Sequence, residues 1–369
     1  MKKLIIATSI IGLTLFACKK ENKDLKVVGT DANGNELVIT ENGDTIQKSE
    51  AETATENVLN QDDNAKQALI KNEDDTYRFK YNLTKGNTYP INLTVITTRN
   101  VSDGKQSIKM TNESKKKIDY TVQDFKDGIY TLKVTFRQYA EKLTDPAGKT
   151  LSFDTNAAKP SNPMIAMSWQ VYKSIIGKSY TLKINEQGKV TSIDGLAHIR
   201  TGIENSLKSS LNAEEQKALS EMLKVSLSDE AIKSQFEETM NIYPDKNLKL
   251  KESWSDENKI NEGPLKGKSK ITRTLASIDE QSTKIEVKGT QNVSGSQSQQ
   301  IPISEKEQTT VKLTLNDNST VNGDILLETS SGWIKKINIT QKKNVKEIQE
   351  AQGQKMTRTE TTTVQTIVN

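Results

Sequence analysis

From Tyr77 onward, large apolar residues recur at every second position, and that period of two restricts the chain to half-buried β-strands. Tyr77, Phe79, Tyr81 and Leu83 alternate with polar residues, and Tyr89, Ile91, Leu93 and Val95 do so again. In a strand, successive side chains point to opposite faces, so each run paints one apolar face and one wet face. Lys85-Gly86-Asn87, Asp103-Gly104 and Asp127-Gly128 interrupt the runs with residues that suit tight turns. Ile118 to Val122 and Ile129 to Tyr139 supply a further strand pair, and Leu151 to Asp154 a short strand. The pattern is an antiparallel meander. A doubly wound enzyme is excluded, because its strands are buried on both faces and read as continuous Val, Ile and Leu runs. Only 33% of this chain is hydrophobic.

The rhythm breaks between Pro160 and Gly177. Asn162-Pro163 supplies a cap and a first-turn proline. Ile165, Trp169, Tyr172 and Ile176 then fall at steps of four, three and four, on one face of a helix. Such a stripe is either core laid on a sheet or the wall of an apolar ligand groove. Lys178 to Asp194 reads as a hairpin around Glu186-Gln187-Gly188. A helical block follows, with Ile199, Ile203 and Leu207 on one face. Asn212 and Glu215 have capping-box spacing, and Ile232, Phe236 and Met240 make a third stripe. Strands resume around Trp254 and run to Val368. In this reading Gly289 to Gln300 is a Ser/Gln/Gly loop, Asn316-Asp317-Asn318 a turn, and Lys115-Lys116-Lys117 a solvated turn.

The fold class these readings imply is α+β: predominantly antiparallel β-sheet meanders with a helical segment in the middle. A curved sheet or half-barrel wrapped on helices would satisfy it. The organisation implied is a signal peptide over residues 1–17, an acidic flexible tether over 18–75 and a β-rich globular region over 76–369. That region divides into a first strand set (76–195), a helical block (196–243) and a second strand set (244–369). Neither strand set holds enough apolar residues to stand alone, so the two are expected to share a core.

The start of the chain carries its own signal. Met1-Lys2-Lys3 is basic, and Leu4 to Phe16 is apolar apart from Thr8, Ser9, Gly12 and Thr14. That run is too short to cross about 30 Å of hydrocarbon as a helix. It ends in Leu15-Phe16-Ala17-Cys18, which holds the one cysteine of the chain and resembles the bacterial lipoprotein signal. The resemblance implies lipidation of Cys18 and a membrane anchor through that lipid; two or more acyl chains hold stably at about 0.8 kcal/mol per buried CH₂. The alternative is an ordinary signal peptide with a chance cysteine. With one thiol, no disulfide within the chain is available. Residues 18–75 hold fourteen carboxylates against seven lysines, whereas the remainder is basic. A basic module on an acidic tether favours anionic glycans or lipid headgroups, unless its lysines are simply solvated strand faces.

Chemical motifs are sparse. His198 is the single histidine, and no G-x-S-x-G, H-E-x-x-H or phosphate-cradling glycine loop occurs. No cofactor and no metal site are expected. Aromatic residues make up 5%, too few for a carbohydrate or nucleic-acid stacking platform. Further stretches carry a family resemblance: Tyr77 to Tyr81 with Lys85-Gly86-Asn87 and Tyr89; Ser179 to Gly195 ahead of a helical block; Tyr243-Pro244-Asp245-Lys246 with Glu252-Ser253-Trp254; and Gly323 to Trp333. Together with the cysteine signal, they resemble the uncharacterised envelope lipoproteins of Bacteroidota, a domain of unknown function. The resemblance implies an envelope location, expected to be the periplasmic face or cell-surface side of the outer membrane. It transfers no functional residue. The expected function is a non-catalytic binding or carrier module for an apolar or amphiphilic ligand lying against Ile165, Trp169, Tyr172 and Ile176. The alternative is a structural lipoprotein with an envelope protein as partner. An enzyme is not expected.

Overall fold

A computed structural model of the chain describes residues 27–30, 36–39, 45–47, 67–302 and 308–369. Cys18, the signal segment and most of the expected tether lie outside the described residues. Three short strands, β1 (Val27–Thr30), β2 (Glu36–Ile39) and β3 (Thr45–Gln47), form a small sheet of their own. β4 (Leu69–Lys71) pairs with β5 (Tyr77–Phe79). Leu69 is buried in the main core, so residues at the end of the expected tether take part in the folded unit.

One 12-stranded antiparallel sheet dominates the molecule. Its first half is β6 (Thr88–Ser102), β7 (Ser107–Lys126), β8 (Ile129–Thr144), β10 (Ser179–Asn185) and β11 (Val190–Asp194). β9 (Thr150–Asp154) pairs beside β8, and helix α1 (Pro163–Ile175) follows it. Three helices, α2 (Leu196–Leu207), α3 (Ala213–Ser226) and α4 (Asp229–Met240), then lead from one sheet edge to the other. The second half is β12 (Ser253–Glu262), β13 (Leu265–Ile278), β14 (Ser282–Pro302), β15 (Gln308–Glu328), β16 (Ile334–Ala351) and β17 (Gln354–Val368). β17 returns to the middle and pairs with β6, from Val368 opposite Leu93 to Thr359 opposite Ser102.

Among the described residues strand accounts for 58% and helix for 18%, so the expected α+β class is corrected: these residues are mostly antiparallel β, one large sheet with four small helices. The excess strand comes from stretches whose polar composition reads as loop. Gly289 to Gln300 is interior to β14 and pairs residue for residue with β15. Asn316 to Asn318 is interior to β15, and Lys115 to Lys117 to β7. Ladder hydrogen bonds need only backbone groups, so a strand with paired neighbours on both sides persists through Ser, Gln and Asn.

The main core gathers at one end of the long strands. Leu132, Val134, Leu182 and Ile184 from the first half and Leu275, Ile285 and Leu327 from the second share it with Ile199, Ile203, Leu223, Phe236 and Met240 of the helices. Full burial of one such side chain stabilises the fold by about 1.5–3 kcal/mol. Asn212 and Glu215 form the capping box that starts α3, and the Ser228 hydroxyl accepts from Ala231 N at 3.0 Å to start α4. Aromatic rings tie the helices to the strands. Trp333 lies 5.3 Å from both Tyr89 and Tyr120 and 6.0 Å from Tyr81, and Tyr120 meets Phe236 at 5.8 Å. The buried hydroxyls find carbonyls: Tyr81 donates to Met240 O at 2.7 Å and Tyr243 to Gly332 O at 2.6 Å. Gly332 sits at φ +74°, and a β-carbon there would run into that Tyr243 hydroxyl.

Candidate functional site

Helix α1 carries three of the four stripe residues. Asn162 starts it, its Oδ1 accepting from Met164 N at 2.9 Å. Ile165 is buried with Tyr139 of β8 and Phe153 of β9, and Trp169 and Tyr172 rest half-buried against the same group. The Tyr172 and Tyr139 rings stack at 3.5 Å and 13°, and Trp169 Nε1 donates to Asp154 O at 3.0 Å. Ile176 follows the last helical residue, in an extended conformation outside that group. His198 is exposed on α2, and among the described residues no group of His, Cys, Asp or Glu is placed to hold a metal ion.

Next to this aromatic group lies a set of polar side chains that share the core-facing side of the sheet. Counting back by twos from buried Tyr120 places Ile118, Lys116, Ser114 and Asn112 on that inner face. Lys116 is half-buried, its Nζ 5.8 Å from the centre of the Tyr139 ring. Its ammonium makes no hydrogen bond or ion pair among the described residues. Burial pushes the Lys116 pKa down, and the charge of Glu141 opposes that only in part. Glu141 is held above the usual carboxylate range, chiefly by burial, although Asn112 Nδ2 donates to it at 3.0 Å and Lys116 attracts it. The Oδ1 of Asn112 is buried without a hydrogen-bond partner.

The polar lining continues across the sheet. Pairing register puts Arg99, Thr362, Lys343, Ser319, Gln291, Ser269 and Asn258 in one lateral row over seven strands. Thr362, Ser319 and Ser269 are buried, as is Asp317 in the adjoining row. Arg99 donates to Glu360 at 2.6 Å, and Thr362 donates to the other oxygen of the same carboxylate at 3.1 Å. Lys343 pairs with Asp317 at 2.9 Å, and the Ser319 hydroxyl donates to Asp317 at 3.1 Å. Arg99 Nε is buried and unpaired. On β7 and β17 the far part of the inner face carries exposed apolar residues, Ile108, Met110 and Met356, with Met110 directly opposite Arg99. The inner face thus runs from filled core, through a charge-paired belt with two unsatisfied polar atoms, to an apolar rim.

None of the belt residues stood out in the sequence, where Lys116 belonged to a lysine run and Asp317 to a turn-like triplet. The signal that finds them is parity. Lys116 shares its parity with Ile118, Tyr120 and Val122, and Asp317 shares its parity with Leu313, Leu315 and Val321.

Residues 127–334, more than half the chain, match a family described as a family of unknown function, DUF6263. The chain belongs to this family. The matched part of this DUF6263 protein runs from the start of β8 to the first residue of β16. It includes Glu141 and Asp317 but not Lys116, Arg99, Lys343 or Glu360. No curated protein matches the chain. Among solved structures, the chain is similar to Pseudomonas aeruginosa OccK5 (OpdH), at 8% identity and a TM-score of 0.20, over 77% of this chain and 98% of that one. It is also similar to a substituted Rh. blastica porin, at 8% identity and a TM-score of 0.17, over 76% and 100% of the two chains. Scores this low fall short of a shared fold. The surface is also unlike that of a membrane-spanning barrel, whose outward residues make an apolar band roughly 25 Å tall. The outward positions of β17 in the DUF6263 protein are Thr359, Thr361, Thr363 and Gln365, and those of β16 include Lys342, Asn344 and Lys346.

Proposed function

We propose that this DUF6263 protein is a non-catalytic binding module of the cell envelope, anchored by lipid on Cys18, whose inner face receives an amphiphilic ligand with an acidic head. One observation carries the ligand reading: the half-buried Lys116 ammonium, without a hydrogen bond or ion pair among the described residues, lies 5.8 Å from the Tyr139 ring centre, and further along the same face Arg99 has a buried Nε without a hydrogen-bond partner. Glu141 offsets the cost of burying this cation only in part, and an acidic group on a ligand would offset the rest. The apolar rim of Ile108, Met110 and Met356 suits the tail of such a molecule. The anchor rests on Leu15-Phe16-Ala17-Cys18.

Native mass spectrometry of the full chain, isolated from its own envelope, tests both parts. The expected spectrum shows acyl mass on Cys18 and a co-purifying acidic amphiphile that Lys116→Gln loses. Equal ligand on the parent and Lys116→Gln would remove the proposed role of Lys116. A Cys18→Ala variant that stays membrane-bound would remove the anchor. The exposed rim also supports a second reading, a structural lipoprotein that docks an envelope protein there. That reading gains if no small molecule is found and cross-links from position 110 or 356 capture one protein reproducibly.

A further inference from the structure

The opposite face of the sheet carries a separate feature. On the outer side of β12–β15 there is a concavity of about 550 Å³, with the backbone of Gly267 among its lining. A β-carbon at Gly267 would collide with the Asn292–Val293 backbone, so glycine is what lets β13 and β14 close up there. The walls are Lys259, Lys266, Lys268, Asn292, Asn316 and Asn318. No carboxylate lines it, and none of the three lysines makes an ion pair among the described residues.

The arrangement of charge is the informative part. Lys259 and Lys268 are direct cross-strand partners, and like charges in that relation are destabilising. Two residues along, the corresponding pair is neutralised: Lys270 meets Glu257 at 2.5 Å. Lys266 and Lys268 lie about 7 Å apart along β13, from the rise of an extended strand. Cations spread both along and across the strands match several anionic groups on one chain rather than a single ion. The asparagines add amide donors and acceptors suited to hydroxyl groups. No aromatic side chain lines the concavity, so neither bases nor sugar rings would stack there and recognition rests on charge and on hydrogen bonds. None of the exposed large apolar side chains lines it, which disfavours insertion into a bilayer.

We infer that this outer groove binds an acidic polysaccharide through Lys259, Lys266 and Lys268. The site is independent of the inner-face ligand, because it lies on the other face of the sheet and on different strands.

The test is titration of the full chain with a heparin hexasaccharide and a polygalacturonate oligomer, against maltohexaose as the neutral control and anionic phosphatidylglycerol vesicles as the membrane control. The parent should bind at least one acidic saccharide, more weakly as salt rises, and should not bind maltohexaose. The triple variant Lys259→Gln, Lys266→Gln, Lys268→Gln should lose about tenfold or more in affinity, in keeping with an electrostatic site, whereas Lys284→Gln with Lys288→Gln should bind as the parent does. Lys268→Glu separates binding from folding: it places a carboxylate opposite Lys259, so its melting temperature should hold or rise while saccharide binding falls. Equal binding by the triple variant, equal binding of maltohexaose, or lysine-dependent binding of vesicles without saccharide binding would each overturn the inference.

Discussion

The two ends of the long strands are built on opposite plans. At the core end, β8, β13, β14 and β15 bury Leu132, Leu275, Ile285 and Leu327 against the helices and the Trp333 aromatic group. At the far end the same ladders continue past Gly289 and Gly323 with polar residues on both faces, such as Gln297 and Ser298 of β14. Backbone hydrogen bonds are made at both ends, yet each contributes only about 0.5–1.5 kcal/mol net. Apolar burial is therefore what separates the halves. The core end supplies stability and register, and the far end is a paired extension whose side chains are free to serve binding.

The same leucine truncation at both ends should break the comparison open most widely. Leu275→Ala removes a fully buried side chain and should cost about 3–4 kcal/mol in urea unfolding, whereas half-buried Leu313→Ala on β15 should cost about 1 kcal/mol. Similar losses at the two positions would show that the far end carries its own core. Gly332→Ala is expected to cost about 2–3 kcal/mol, because alanine is strained at φ +74° and its β-carbon meets the Tyr243 hydroxyl. Tyr243→Phe combined with Gly332→Ala should recover part of that loss; no recovery would locate the strain elsewhere.

The smallest effects concern charge. Glu141 keeps its proton in the folded state to a higher pH than it does unfolded. The folded state therefore holds the extra proton in that window, and stability falls as pH rises through it. Glu141→Gln should flatten this fall. Lys116 behaves in the opposite sense at alkaline pH. Its folded pKa is depressed, so the unfolded chain holds the extra proton and stability rises as pH climbs towards the ordinary lysine value. Lys116→Met should abolish the rise. Both changes should be smaller than the losses from Leu275→Ala and Gly332→Ala, and confined to the pH ranges in which these two groups titrate. Unfolding curves across acid and alkaline series that superimpose on those of the parent would show that neither group is shielded.

Sequence made the core end legible and left the far end obscure for one physical reason. Ile199, Ile203 and Leu207 sit on the buried face of α2 because a period of four carries an apolar stripe that only burial satisfies. Asn212 with Glu215 starts α3 because the first-turn amides need acceptors. Gly289 to Gln300 has no apolar alternation to declare it a strand. Its pairing is enforced by β15 along the whole stretch and by β13 as far as Ser294, and composition records nothing of that. Lys116 and Asp317 were hidden in the same way. Charged residues read as solvent-facing unless their parity is traced along the strand from a core residue such as Tyr120 or Val321.

The join between β6 and β17 sets a condition on how the molecule forms. Asn92 Nδ2 donates to Asn369 O across a separation of 277 residues, so the centre of the sheet closes between segments made early and late in synthesis. Closing so large a loop demands an entropic outlay before any contact rewards it, and folding rates fall as such distant pairings multiply. Until that pairing forms, β6 and β17 each present an unpaired edge. The protein is therefore at its most adhesive before β17 docks on β6.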